Sequence, residues 1–440
     1  MSDVTIRQCA ILVGGLGTRL GALTATTPKP LLPIGDRPFL AWLMREFVRF
    51  GVDEFVLLTG HLSAQVDTRV QALAALLPRD VRIVISEEPE RAGTGGAVLY
   101  ARDRLADRFL LCNGDSLFDC NLARLLADAA GDDPEVVGRI VLRRIEDASR
   151  YGVVELDGDR VVAFRPRPPA RISGVASSGE GTAGVDIKGI GTPGVGTAGD
   201  DTEGVINAGV YVYDRRLLDE LTPKCSLERD IMPRLAERGV LRGTVMDGYF
   251  RDIGIPEDLA RAGEEMPRVL RRRALFLDRD GVINIDHGYV ASRDRFEWMP
   301  GAREAIRAAT DAGWHVFVVT NQSGIARGRY TEAAMQGLHA WMTDEIRRAG
   351  GTLDDLRFCP FHADAVIEAY RDAAHPWRKP EPGMLLDLIR AWQIDPARAV
   401  LVGDKDSDLQ AAAAAGVPAH KFTGGNLLDV VLPLLQRSPA

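Results

Sequence analysis

The chain has 440 residues, 46% of them apolar, which is enough for two or three domains with substantial cores. A net charge of −8 argues against nucleic acid as a partner. No apolar run reaches the roughly 18 residues of a membrane span, no signal-peptide pattern opens the chain, and five scattered cysteines suit a reducing compartment, so a cytoplasmic protein is expected.

Cys9–Val13 reads as a buried parallel strand. Gly14, Gly15 and Gly17 follow, then Thr18, Arg19 and, ten residues on, Lys29 between two prolines. Glycines just past a strand end let backbone N–H groups approach a phosphate, and Arg19 and Lys29 add fixed cations. No Gly-Lys-Ser/Thr follows, so this polyphosphate cradle is not a P-loop. Only 6 of the 54 basic residues are lysines, and Lys29, Lys379 and Lys405 all fall inside motifs. Helices are expected at 39–50 and 64–77 and strands at 54–59 and 81–86, the alternation of parallel βαβ units. Gly93-Thr94-Gly95-Gly96 makes a second glycine-rich turn. Asp115 ends the apolar strand 109–113 and either binds Mg²⁺ or caps a turn; beside the cradle we read a metal ligand. Residues 171–204 hold ten glycines with no leucine and no aromatic, and read as a mobile insertion. A strand resumes at 205–211, where Asn207 either bonds a sugar or forms a turn.

The cradle with its Pro-Lys-Pro resembles the sugar-phosphate nucleotidyltransferases over about residues 7–265. Gly-Thr-Gly-Gly, Asn-Gly-Asp and Asp252-Ile-Gly-Ile-Pro-Glu-Asp look closest to the heptose 1-phosphate guanylyltransferase branch. The resemblance implies a Rossmann-like mixed sheet of the GT-A kind. It implies nucleotide contacts from Gly14, Gly15, Gly17, Thr18, Arg19, Gly93, Thr94 and Gly95, with Arg19 and Lys29 catalytic. It implies sugar contacts from Glu155 and Asn207, and Mg²⁺ on Asp115 and Asp252. Arg167 stands where the family has a phosphate-binding lysine. Gly96 takes the place of a pyrimidine-reading glutamine, and the space so opened suggests a purine, GTP. The sugar phosphate is already an anionic nucleophile, so catalysis asks for positioning and charge neutralisation.

Residues 266–273 read as a linker whose Arg271–Arg273 run is solvated. The strand 274–277 then leads into Asp278-Arg279-Asp280-Gly281. This motif, Thr320-Asn321-Gln322-Ser323-Gly324, Arg378-Lys379-Pro380 and Gly403-Asp404-Lys405 fall in the order of the haloacid dehalogenase-like phosphatases. The resemblance is closest to heptose 1,7-bisphosphate and histidinol-phosphate phosphatases, over about 274–425. It implies a doubly wound parallel sheet without a large cap. Asp278 would be the nucleophile and Asp280 the acid/base; Thr320 and Lys379 would hold the phosphoryl group. Asn321 and Arg378 would bind substrate, and Asp278, Asp280 and Asp404 would hold Mg²⁺. Many relatives carry a zinc-stapled loop here. Phe361 and Trp377 replace two of its ligands, leaving Cys359, His362 and His375, so no structural zinc is expected.

The expectation is an α/β chain of two domains, 1–265 and 274–440. It would dephosphorylate heptose 1,7-bisphosphate at C7 and convert the heptose 1-phosphate with GTP to GDP-heptose. The alternative is a hexose 1-phosphate nucleotidyltransferase joined to another small-ester phosphatase. Partners would be small phosphorylated molecules, with homo-oligomerisation left open.

Overall fold

The computed structural model describes residues 6–15, 17–146, 153–165 and 204–436. Arg167 and nearly all of the 171–204 stretch lie outside them. The first half runs β1 (Gln8–Leu12), β2 (Pro33–Ile34), β3 (Arg37–Pro38), α1 (Phe39–Arg49), β4 (Glu54–Thr59), α2 (Ser63–Asp67), α3 (Val70–Ala75), β5 (Arg82–Glu87), α4 (Gly93–Tyr100) and β6 (Arg108–Asn113). It continues through β7 (Ser116–Asp119), α5 (Leu122–Ala130), β8 (Gly138–Ile145), β9 (Val153–Asp157), β10 (Arg160–Arg165), β11 (Gly204–Asp214), α6 (Met232–Glu237), β12 (Leu241–Val245), β13 (Tyr249–Asp252) and α7 (Pro256–Val269). Nine strands form one mixed sheet in the order β5-β4-β1-β6-β11-β8-β12-β10-β9. The β5-β4-β1-β6 part is parallel, as the alternation requires, and β11 then pairs antiparallel with both β6 and β8. The helix expected at 64–77 is two short ones: the Thr68 hydroxyl donates to Gln65 O and closes the turn between them.

The second half runs β14 (Ala274–Leu277), α8 (Ala302–Asp311), β15 (His315–Asn321), α9 (Glu332–Arg348), β16 (Asp355–Cys359), α10 (Gly383–Trp392), β17 (Ala399–Gly403), α11 (Asp406–Ala414), β18 (Ala419–Lys421) and α12 (Leu427–Gln436). Its five strands are all parallel, in the order β16-β15-β14-β17-β18. No helix among the described residues is long and apolar enough to cross a membrane.

The two sheets share a core. One cluster holds Phe39, Trp42 and Phe47 of α1 together with Phe276, Phe317 and Trp392 of the second half. All eleven residues of α1 are buried, including Arg45, Glu46 and Arg49. Such charges survive burial only when paired. Arg45 donates to Trp392 O, and Arg49 Nε donates to Asp354 Oδ1 at 2.7 Å. The join also departs from expectation. Helix α7 continues to Val269, and Arg272 is buried rather than solvated.

Asp354 Oδ1 also meets His315 Nδ1 at 2.6 Å. Burial pushes the His315 imidazole down to about 3, against the opposing charge of Asp354. His339, buried beside Arg279, is likewise lowered to about 3. Both rings are neutral when folded, while an unfolded histidine takes its proton near pH 6.5. Between these values the unfolded chain binds more protons, so stability falls as pH drops below the unfolded value. The slope is about 1.4 kcal/mol per pH unit for each histidine. Calorimetric unfolding should therefore give a clearly lower midpoint at mildly acidic than at neutral pH; an unchanged midpoint would contradict the neutral assignment.

Candidate active sites

In the first half, β1, β6 and the turns after them open onto a cavity of about 320 Å³ lined by Gly14, Gly15, Glu88, Gly93, Thr94 and Asp115, among others. Gly17, at φ 60°, turns the chain into the short helix 18–24, which presents Thr18 and Arg19 to solvent. Lys29 is buried, and its Nζ lies 2.7 Å from Asp115 Oδ2 and 3.9 Å from Asp252 Oδ1. Ribbon pairing of β7 with β13 sets Asp252 opposite Ser116, next to Asp115. A Cβ placed on Gly254 would lie 3.1 Å from Arg19 Nη2 and 3.4 Å from Lys29 Nζ, so the two cations converge beside Asp252. Burial, and then the Asp115 charge, raise the Asp252 carboxyl above its ordinary value. Two such carboxylates offer the all-oxygen donor set that Mg²⁺ takes.

Other expected residues sit differently. Gly95 and Gly96 pack against the segment 223–226: a Cβ would lie 2.5 Å from Cys225 Sγ at Gly95 and 2.5 Å from Pro223 O at Gly96. Gly96 therefore opens no space for a base. Asn207 donates to Tyr211 Oη at 2.9 Å and accepts from Gly209 N at 3.0 Å, so its amide holds the irregularity in its own strand. Glu155 stands on β9 opposite Ala163. Glu88, directly after β5, also lines the cavity, and nothing in the sequence singles it out. Its Oε2 accepts from Ala92 N at 3.1 Å, and burial raises its pKa. An acidic residue in a run of Glu, Pro and Arg carries no signal of that burial.

In the second half, β14 delivers Asp278 to the centre of the sheet's carboxyl edge. Lys379 Nζ lies 2.9 Å from Asp278 Oδ1 and 2.6 Å from Asp408 Oδ1, and donates to Val319 O at 2.8 Å. Burial pushes the Asp278 carboxyl up to about 6 against the pull of Lys379. Asp280 accepts from Arg279 Nη2 at 2.7 Å, Asn284 Nδ2 at 3.0 Å and Gln322 Nε2 at 2.8 Å. Gln322 also donates to the buried Thr320 hydroxyl at 2.9 Å. Asp278, Asp280, Thr320, Gln322, Lys379 and Asp408, with Asn321, Tyr289 and Lys405, line a cavity of about 260 Å³.

Oxygens of Asp278, Asp404 and Asp408 lie within 4.8 Å of one another, a donor set that suits Mg²⁺. Asp404 Oδ1 is buried and has no hydrogen-bond partner, as expected of an atom reserved for a cation. Gly281, at φ 89°, admits it: a Cβ there would lie 2.4 Å from Asp404 Oδ2. The Asp280 side chain, expected in this group, is turned toward Arg279 and Gln322 instead. Asn321 donates to Lys379 O at 3.0 Å and accepts from Lys379 N at 3.1 Å, so it also orients the lysine. Arg378 donates to Phe361 O at 3.0 Å. Phe361 stacks on His375 at 3.9 Å, and His375 Nδ1 accepts from Trp377 N at 3.1 Å.

A family model described as nucleotidyl transferase matches residues 9–268, and one described as haloacid dehalogenase-like hydrolase matches residues 248–416. The D-glycero-beta-D-manno-heptose-1,7-bisphosphate 7-phosphatase of Rhodopseudomonas palustris is 50% identical over 157 residues, 36% of this chain and 87% of that protein. The enzyme of the same name from Escherichia coli K12 is 46% identical over 144 residues, 33% of this chain and 75% of that protein. Among solved structures, HddC from Yersinia pseudotuberculosis is 26% identical, with a TM-score of 0.45, over 59% of this chain and all of that one. The chain thus belongs to the nucleotidyl transferase family through its first half and to the haloacid dehalogenase-like hydrolases through its second.

Proposed function

We infer that the chain performs two consecutive steps. The second half removes the C7 phosphate of a heptose 1,7-bisphosphate, and the first half joins the resulting heptose 1-phosphate to GMP from GTP, releasing pyrophosphate. The observation that carries this reading is the 50% identity of the phosphatase half to a heptose-1,7-bisphosphate 7-phosphatase, on a chain whose other half is a nucleotidyl transferase. A sugar 1-phosphate left by the first reaction is the class of nucleophile the second consumes.

In the phosphatase, a carboxylate oxygen of Asp278 attacks phosphorus and forms an aspartyl phosphate. Asp280 gives its proton to the departing sugar oxygen, then takes one from the water that hydrolyses the intermediate. Lys379 offsets the repulsion between Asp278 and the phosphoryl group, and Thr320 bonds its oxygens. In the transferase, an oxygen of the sugar phosphate attacks the α-phosphorus of the nucleotide, and Arg19 and Lys29 offset the developing charge. When bound, Mg²⁺ on Asp115 and Asp252, and on the Asp278 and Asp404 group, supplies further charge neutralisation. Aromatic packing holds the loop 359–377 without structural zinc. Both reactions use soluble small molecules and belong in the cytoplasm.

Guanine is favoured by Glu88. A carboxylate accepts the adjacent N1–H and N2–H₂ donors of guanine, whereas adenine presents an acceptor, N1, at the same edge. Glu88→Gln is expected to lower kcat/KM for GTP about tenfold or more and to narrow the preference for GTP over ATP. An unaltered GTP-to-ATP ratio would remove Glu88 from base recognition. The overall reading is tested by supplying the bisphosphate, GTP and Mg²⁺ and looking for a nucleotide-heptose. No such product, with brisk turnover of mannose 1-phosphate and GTP, would overturn it.

A further inference from the structure

Arg272 lies in the join between the halves and is buried. Its guanidinium grips Asp119 through both carboxylate oxygens, Nη1 to Oδ2 at 2.9 Å and Nη2 to Oδ1 at 2.7 Å. Nη2 also bonds Glu46 Oε2 at 2.5 Å, and Nη1 donates to Gly313 O at 3.2 Å. Each partner belongs to a different part of the molecule. Asp119 ends β7, the strand that begins one residue after Asp115 and pairs with the strand ending in Asp252. Glu46 sits on α1. The turn that carries Lys29 is tied to that helix through Phe39 N to Leu32 O at 3.0 Å and Trp42 Nε1 to Ile34 O at 2.9 Å. Gly313 belongs to the phosphatase half, and Arg272 itself precedes β14 by two residues.

We propose that Arg272 is a positioning residue for nucleotidyl transfer, clamping the ribbon that ends in Asp115 and Asp252 against the helix behind Lys29. The proposal rests on the transferase reading given above. The clamp acts at the far end of a short, hydrogen-bonded lever. The ribbon pairs Asp252 with Ser116 at one end and Tyr249 with Asp119 at the other, roughly 10 Å away by strand rise. A shift at Asp119 is therefore passed on to the carboxylates facing Lys29. The grip needs a planar fork: a lysine keeps the charge but cannot hold both oxygens of Asp119 and reach Glu46 in the same plane. The phosphatase half fixes the fork through Gly313, so the transferase site is completed by a residue set outside its own sheet.

The test uses the full chain with Arg272→Lys, and Asp119→Asn as a second variant that keeps the side-chain shape if the first does not fold. Three quantities are read: kcat and KM of nucleotidyl transfer, kcat of phosphate release, and amide hydrogen exchange across 116–119 and 249–252. The expected result is a kcat for transfer lowered about tenfold with little change in KM. Phosphate release should be unchanged, and exchange should be faster in the ribbon. Unchanged transfer kcat in a folded variant, unchanged ribbon exchange, or parallel loss of both activities would overturn the clamp. A wild-type chain that transfers no nucleotide would instead overturn the function proposed above.

Discussion

Asp278→Asn is expected to abolish phosphate release while leaving nucleotidyl transfer intact. The substitution keeps the shape of the side chain and removes the anionic oxygen that must attack phosphorus. Loss of a covalent nucleophile costs about 10⁴-fold or more in rate. The fold should persist, because Lys379 keeps its contacts with Asp408 and Val319 O. Asp278 is, moreover, a carboxylate that burial already disfavours in its charged form, so neutralising it relieves a desolvation cost. The measurement pairs inorganic phosphate release from the bisphosphate with nucleotide-sugar formation from supplied heptose 1-phosphate. Substantial residual phosphate release would reject Asp278 as nucleophile. Loss of both reactions would reject the independence of the two sites.

Arg19→Ala should produce the converse. Arg19 is exposed, and its guanidinium converges with Lys29 Nζ beside Asp252. Its removal should leave stability within about 0.5 kcal/mol, as for surface substitutions generally. The loss falls on the transition state, where negative charge develops on the transferring phosphate; removing one such stabilising group costs about 10²- to 10³-fold in kcat. Steady-state transfer assays, alongside a melting curve and phosphate release, separate this from unfolding. Retention of near-normal transfer would place the catalytic cation elsewhere, with Lys29 the remaining candidate.

Much of the fold was legible because its strands are short apolar runs ending in chemistry-bearing turns. β4 and β14 fall at the expected residues, and β1 and β6 within one residue at either end. The acidic pairs were legible for the same reason: a strand terminus fixes where the next side chain stands. What escaped depended on partners distant in sequence. The charges of α1 look like a solvated helix face until Asp354, Trp314 and Arg272 are brought to them. Gly95 and Gly96 look like ligand-facing glycines until the segment 223–226 fills the space above them. Arg272 sits in a basic run that reads as a solvated tether, and nothing local marks it as the one turned inward.

The shared core around α1 sets a limit on how the two catalysts can be deployed. Severing the chain between the halves would open the apolar cluster that spans them and strand the buried Arg45 and Arg49 without Trp392 O and Asp354. Cells carrying this chain therefore make the two catalysts in strict one-to-one stoichiometry. The balance between producing and consuming the monophosphate is then set by the relative turnover numbers encoded in the two sites, not by separate gene dosage.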